Sequence, residues 1–150
     1  MNTLESITVS LKKARELKEA GYPQRISIFH WWKRIGHEEY EELGMNIMLD
    51  GGSPYIAAPT AEEILRRLPT MIEYQGGTFL LFIFPHWADA PKWMMGYERS
   101  IESAQKTGST LWIHGKGAYH ATGDTLANAA AAMWIYLKKN NLLLHEPTPN

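Results

Sequence analysis

The sequence predicts an α+β fold in a single domain, residues 1–150: a mostly antiparallel, twisted sheet of five to seven strands with three helices packed on it. Three observations lead there. Capped stretches of helical period occupy 11–20, 61–68 and 125–139. Short aromatic or apolar runs punctuated by glycine and proline fill the intervals as strands. The chain of 150 residues is long enough to bury roughly 68–70% of its unfolded surface, and no linker in it is long enough to separate a second domain from the first.

In "SLKKARELKEAG", Leu11, Ala14 and Leu17 recur every three residues, with Ser10 placed to cap the start and Gly21 to end the helix. "RISIFHWWK" then reads as a strand of about eight residues. Successive side chains alternate faces, so Trp31 and Trp32 point opposite ways, and either the sheet is covered on both sides there or one indole is exposed. "HEEYEE" reads as a solvated loop or short helical turn, "MNIML" as the next strand and "DGGSP" as a break. In "APTAEEILRRLP", Thr60 and Glu63 have the spacing of a capping box, and Pro69 stops the helix.

"MIEYQGGTFLLFIF" predicts a hairpin turning at Gly76-Gly77, a dipeptide able to supply positive φ angles. Residues 79–84 are apolar at every position, which predicts a central strand with both faces at least partly buried. Pro85 and Pro91 bracket a loop holding His86 and Trp87. "KWMMGYE" follows as a strand with Trp93, Met95 and Tyr97 on one face. "TLWIHGKGAYHA" reads as a hairpin tipped by Gly115–Gly117. In the last helix Leu126, Ala130, Met133, Trp134 and Leu137 form a wide apolar stripe, with a cap at Asp124 or Thr125 and Lys138 and Lys139 in the final turn. The tail from about 145 is expected to fray.

Charge and composition exclude several function classes. Fifteen basic and sixteen acidic residues give a net charge of −1, so no basic footprint for nucleic acid appears. The chain contains no cysteine, which removes disulfides, thiolate nucleophiles and cysteine zinc sites. It shows neither a secretory leader nor an apolar run of membrane-spanning length, and a cytoplasmic location without membrane contact is expected.

The stretch "IHGKGAYHATGD" at 113–124 invites a phosphate or metal reading. Its glycines at 115, 117 and 123 fit neither a P-loop nor a dinucleotide fingerprint, and a turn before a helix cap accounts for them. With a three-residue loop, His114 and His120 become diagonal neighbours about 7–8 Å apart. Zinc would need a third ligand from His86, His30 or Asp124. Packing or solvation is the commoner fate of such histidines, so no metal and no cofactor is expected. "FHWWKR" interleaves rings and cations as single-strand binders do, but one such segment in an acidic chain does not make a nucleic-acid site. Glu38, Glu39, Glu41 and Glu42 read as a solvated charge run, and neither a nucleophile elbow nor H-E-x-x-H occurs.

"LKKARELKEAGYPQ", "AAPTAEEILRRLP" and "GDTLANAAAAMWIYLKKN" together resemble the pattern of a loosely defined group of small bacteriophage and prophage proteins, some with α-β-α sandwich-like domains. The resemblance covers most of the chain. It implies an α+β fold and a mobile-element origin, and it carries no catalytic residue.

The leading expectation is a non-enzymatic accessory protein that binds a protein partner through an exposed aromatic patch built from Trp31, Trp87 and Trp93. The alternative is a small-molecule or nucleotide-binding module with a pocket lined by His86, Trp87, His114 and His120. A histidine-based metal-dependent hydrolase ranks third.

Overall fold

A computed structural model describes residues 3–33, 36, 38–45, 54–74, 76–86, 92–100 and 119–143 of the chain. Along these residues the order is α1 (Thr3–Ile7), α2 (Leu11–Glu19), β1 (Phe29–Lys33), β2 (Tyr40–Met45), β3 (Tyr55–Ala57), α3 (Ala61–Leu65), β4 (Met71–Tyr74), β5 (Gly77–His86), β6 (Lys92–Arg99), β7 (Tyr119–Gly123) and α4 (Leu126–Lys139).

The helix starts follow their caps. Ser10 Oγ accepts from Lys13 N, and Thr125 Oγ1 accepts from Asn128 N. At α3 the capping box is complete, because Glu63 also reaches back to the Thr60 N–H. Gly21, at φ 87°, turns the chain out of α2 as expected. The helix expected over 61–68 is shorter: Arg67 N and Leu68 N donate to residues three back, so the last turn tightens ahead of Pro69. A short α1 precedes the three expected helices.

Seven described strands pair antiparallel throughout, but in two sheets rather than one: β2-β1-β3 and β4-β5-β6-β7. The three-residue β3 was not expected, and it joins β1 from across the chain. The acidic stretch expected as a loop or helical turn instead supplies β2, with Glu42 opposite Trp32. Charged residues suit an edge strand, since they keep its unpaired side in water. Of the strand expected at 45–49 only Met45 is described, and it ends β2. The expected hairpin forms with Tyr74 opposite Gly77. Gly76 alone takes a positive φ, 73°, while Gly77 is the first residue of β5. Pro85 lies inside β5, opposite Trp93, rather than in a loop. The hairpin tip at 115–117 and the tail from 145 lie outside the described residues.

One core joins the two sheets. It holds Trp31 and Ile56 from the first, Met95 and Tyr97 from the second, and Met133 and Trp134 from α4. Helix α4 packs across β6 and β7 and also touches α2 and α3, while α2 reaches β3. Buried residues lie on nearly every side of α4, Ala127, Ala129 and Ala131 among them, so its apolar surface exceeds the expected stripe. Small side chains permit that closeness. A Cβ on Gly123 would lie 2.4 Å from Ala129 N, so the end of β7 presses directly on the first turn of α4. Among the described residues no helix is long and apolar enough to cross a membrane.

Candidate functional site: the outer face of the four-stranded sheet

Alternation along β4 to β7 sorts side chains onto two faces. The inner face carries Ile72, Phe79, Met95, Tyr97 and Ala121, all buried in the core that α4 shares. The outer face carries Met71, Leu80, Phe82, Phe84 and Met94 as its apolar residues. Met71 is 50% exposed, Leu80 47% and Phe84 41%, whereas Phe82 and Met94 are half-buried.

The registers place these residues side by side. Met71 lies opposite Leu80, and Phe84 opposite Met94. Phe82 stacks on Phe84 with centroids 5.4 Å apart and meets the His120 ring edge-on at 6.0 Å. Gly96, between Phe82 and His120 in the register, leaves the room for that contact. Polar groups stand at the margins: Glu73, which accepts from Thr78 Oγ1 at 2.7 Å, and the exposed Glu98. Chemically, this surface can bury apolar area against another molecule. Among the described residues no three His, Cys, Asp or Glu side chains gather to hold a metal.

The expected aromatic patch is not built from the expected rings. Trp31 is 8% exposed and its indole N–H donates to Val9 O at 3.3 Å, because β1 is the middle strand of its sheet and that face meets the core. Trp93 does share a face with Met95 and Tyr97, but it is the inner face, and the ring packs half-buried against the core. Trp87 and His114 lie outside the described residues, so neither the pocket with His86 and His120 nor the pairing of His114 with His120 is on view. His86 closes β5 opposite Lys92, and His120 is exposed on the outer face.

Two proposed third ligands have other occupations. His30 belongs to the other sheet and is fully buried, with Nε2 2.9 Å from Gln24 O and its ring edge-on to Tyr55. Asp124 accepts from Thr125 N and Asn128 Nδ2 at the start of α4. Asn128 in turn accepts from Ser10 N, which ties the starts of α2 and α4 together.

Two perturbed phenols lie behind the sheet, away from the outer face. Burial pushes the Tyr97 hydroxyl far above its ordinary value, and it donates to Pro69 O. Tyr22 packs edge-on against Trp134. Burial, helped by Glu63 and opposed by the Arg67 guanidinium over its ring, pushes its phenol up to about 12. Both are parts of the core.

The sequence reading missed Leu80, Phe82, Phe84 and Met94 as binding candidates because it placed the 79–84 run in a central strand with both faces at least partly buried. A signal was present. A glycine-turned antiparallel hairpin commonly leaves one face open, and three helices are few to cover both faces of seven strands. Comparisons with protein families, with curated proteins and with solved structures find no match to this chain.

Proposed function

We propose that this chain is a non-enzymatic accessory protein of phage or prophage type that acts by binding a protein partner through the outer face of the four-stranded sheet. One observation supports this reading above the others: Met71 and Leu80, opposite each other in the register, and Phe84, stacked on Phe82 farther along β5, stand 41–50% exposed on one face. Antiparallel sheets with a solvated face ordinarily make that face polar, and contiguous exposed apolar surface marks interaction sites. Rings and methionines at the centre with charged groups at the rim match the anatomy of protein interfaces. The mobile-element origin rests on the resemblance of the capped helices.

The test is a capture experiment in a bacterial host lysate, comparing the wild-type chain with a Leu80→Ser, Phe84→Ser double variant, followed by binding measurements with the captured protein made pure. The expected result is a partner held by the wild type and weakened at least about 100-fold by the variant, as when central interface residues are removed. A partner bound equally by both chains would remove the outer face from the reading.

A further inference from the structure

We infer that the partner docks by adding an extended segment of its chain to the open edge of β5 at residues 83–85, in line with β4; this rests on the reading that the chain binds a protein partner. Hydrogen-bond parity locates the edge. Ser100 N donates to Thr78 O, so Thr78 and every second residue after it, Phe82 and Phe84 among them, turn N–H and C=O toward β6. The residues between turn theirs the other way, and Leu81 N donates to Thr70 O on the line of β4. Ile83, two residues farther, points to the same side, but the register of β4 with β5 stops at Met71 opposite Leu80. Among the described residues neither the N–H nor the C=O of Ile83 has a partner.

The chain turns off this line at Pro69, whose O accepts from the Tyr97 hydroxyl beneath the inner face, so β4 is entered from below the sheet. Main-chain donors and acceptors in strand geometry specify an extended polypeptide as the occupant. A strand antiparallel to β5 exchanges both bonds with Ile83 and gives another to Pro85 O, which faces the same side. Pro85 has no N–H to offer there, as suits an edge, and it ends the slot.

Apolar cover favours this edge over the others. Ile83, on the inner face, is 38% exposed and Phe84, on the outer face, 41%, so two adjacent side chains of an added strand cover one each. The outer edge of β4 gains no such cover, since Ile72 is already buried and Glu73 stands exposed. The free edge of β3 is stopped by Gln24, whose side-chain oxygen accepts from Ala57 N. The occupant therefore carries β-branched or aromatic residues at two adjacent positions.

The test selects binders of the full wild-type chain from a displayed library of random linear peptides of about twelve residues and follows the chain's amides by NMR. In the free chain the Ile83 amide is expected to exchange on the order of 100-fold faster than those of Phe82 and Phe84, which β6 holds. A selected peptide, synthesised and added to saturation, should slow Ile83 into their range. Methylating the peptide's nitrogens one at a time should weaken binding about 10-fold or more at alternate central positions and little between them, and this leaves the protein untouched. Ile83→Pro removes the donor without entering the β6 ladder and should weaken the peptide about 10-fold or more, whereas Ile83→Val keeps the donor and should bind as the wild type does. An Ile83 amide already protected in the free chain, a selection without binders, a methyl scan without alternation or a bound peptide that leaves Ile83 exchange unchanged each overturns the strand addition. A peptide of that last kind that is lost from the Leu80→Ser, Phe84→Ser chain leaves the outer face standing as a binding surface, so the two readings fail separately.

Discussion

Met94 and Met95 are chain neighbours with opposite surroundings. Met95 is fully buried beneath α4, while Met94 sits half-open on the other side of the same strand. The contrast extends across the sheet: Ile72 against Met71, Phe79 against Leu80. Both faces are apolar, yet among the described residues a helix covers only the inner one, across β6 and β7. The inner cover itself thins away from α4, where Ile83 is 38% exposed. Apolar composition in this sheet marks the places where something packs, and only the inner side receives its cover from within the described chain. Buried inner residues should accordingly control folding, and outer ones association.

The strongest challenge to that division is Trp134→Ala. The indole is fully buried in α4, edge-on to Tyr22 and covered by Lys138, so truncation leaves a large cavity in the core common to both sheets. Urea unfolding should register a loss of about 3–5 kcal/mol. A loss below about 1 kcal/mol would mean that α4 does not hold the inner face. Met95→Ala comes next at about 2–5 kcal/mol, and Met94→Ala is its matched control at under about 1 kcal/mol. Equal losses in this adjacent pair would erase the difference between the faces.

How much of this was readable beforehand depends on the range of the interaction involved. Ser10, the Thr60–Glu63 box, Thr125, Gly21 and the Met71–Tyr74 hairpin are local, and each is written within a few residues. The split into two sheets was not readable, because it depends on β1 pairing with Tyr55–Ala57 across the chain, and three residues carry no periodicity of their own. The Tyr40–Met45 strand was hidden by glutamates whose edge position makes them acceptable. At the candidate site the alternation was visible in Trp93, Met95 and Tyr97, but 79–84 is apolar on both parities, and nothing local tells which side a helix about 40 residues later will cover. Trp31 was misplaced for the same reason: face assignment is a tertiary fact.

Alkaline titration separates the two sides without truncating an apolar side chain. The Tyr22 phenol is raised from 10.0 to about 12, chiefly by burial. Below pH 10 both folded and unfolded chains keep this proton, and the contribution to stability is whole. Between pH 10 and about 12 the unfolded chain gives it up first, so stability falls as pH rises, by up to about 3 kcal/mol. Tyr97, raised in the same direction, adds to the fall. Tyr22→Phe removes the titrating hydroxyl, so it should reduce the slope above pH 10. Substituting Leu80 on the outer face should leave that slope as it is. A Tyr22→Phe chain with the wild-type alkaline slope would place the phenol in water rather than in the core.

The smallest expected effect on folding is the most informative about the outer face. Leu80 is 47% exposed, so Leu80→Ser removes only about half of the roughly 1.5–3 kcal/mol that full burial of a leucine is worth. The unfolded chain already hides some of that surface, which lowers the loss further, to about 1 kcal/mol or less. Position 80 is interior to a four-stranded sheet, and the backbone bonds that hold β5 between β4 and β6 do not depend on its side chain. The same substitution should greatly weaken association, since an interface loses the whole contact that the monomer never made. Measuring the unfolding midpoint and the association constant on one sample of the variant tests both sides together. A Leu80→Ser chain that unfolds as easily as Met95→Ala would show that the outer face is a second core face whose cover comes from elsewhere in the chain, and the reading of it as a binding surface would fall.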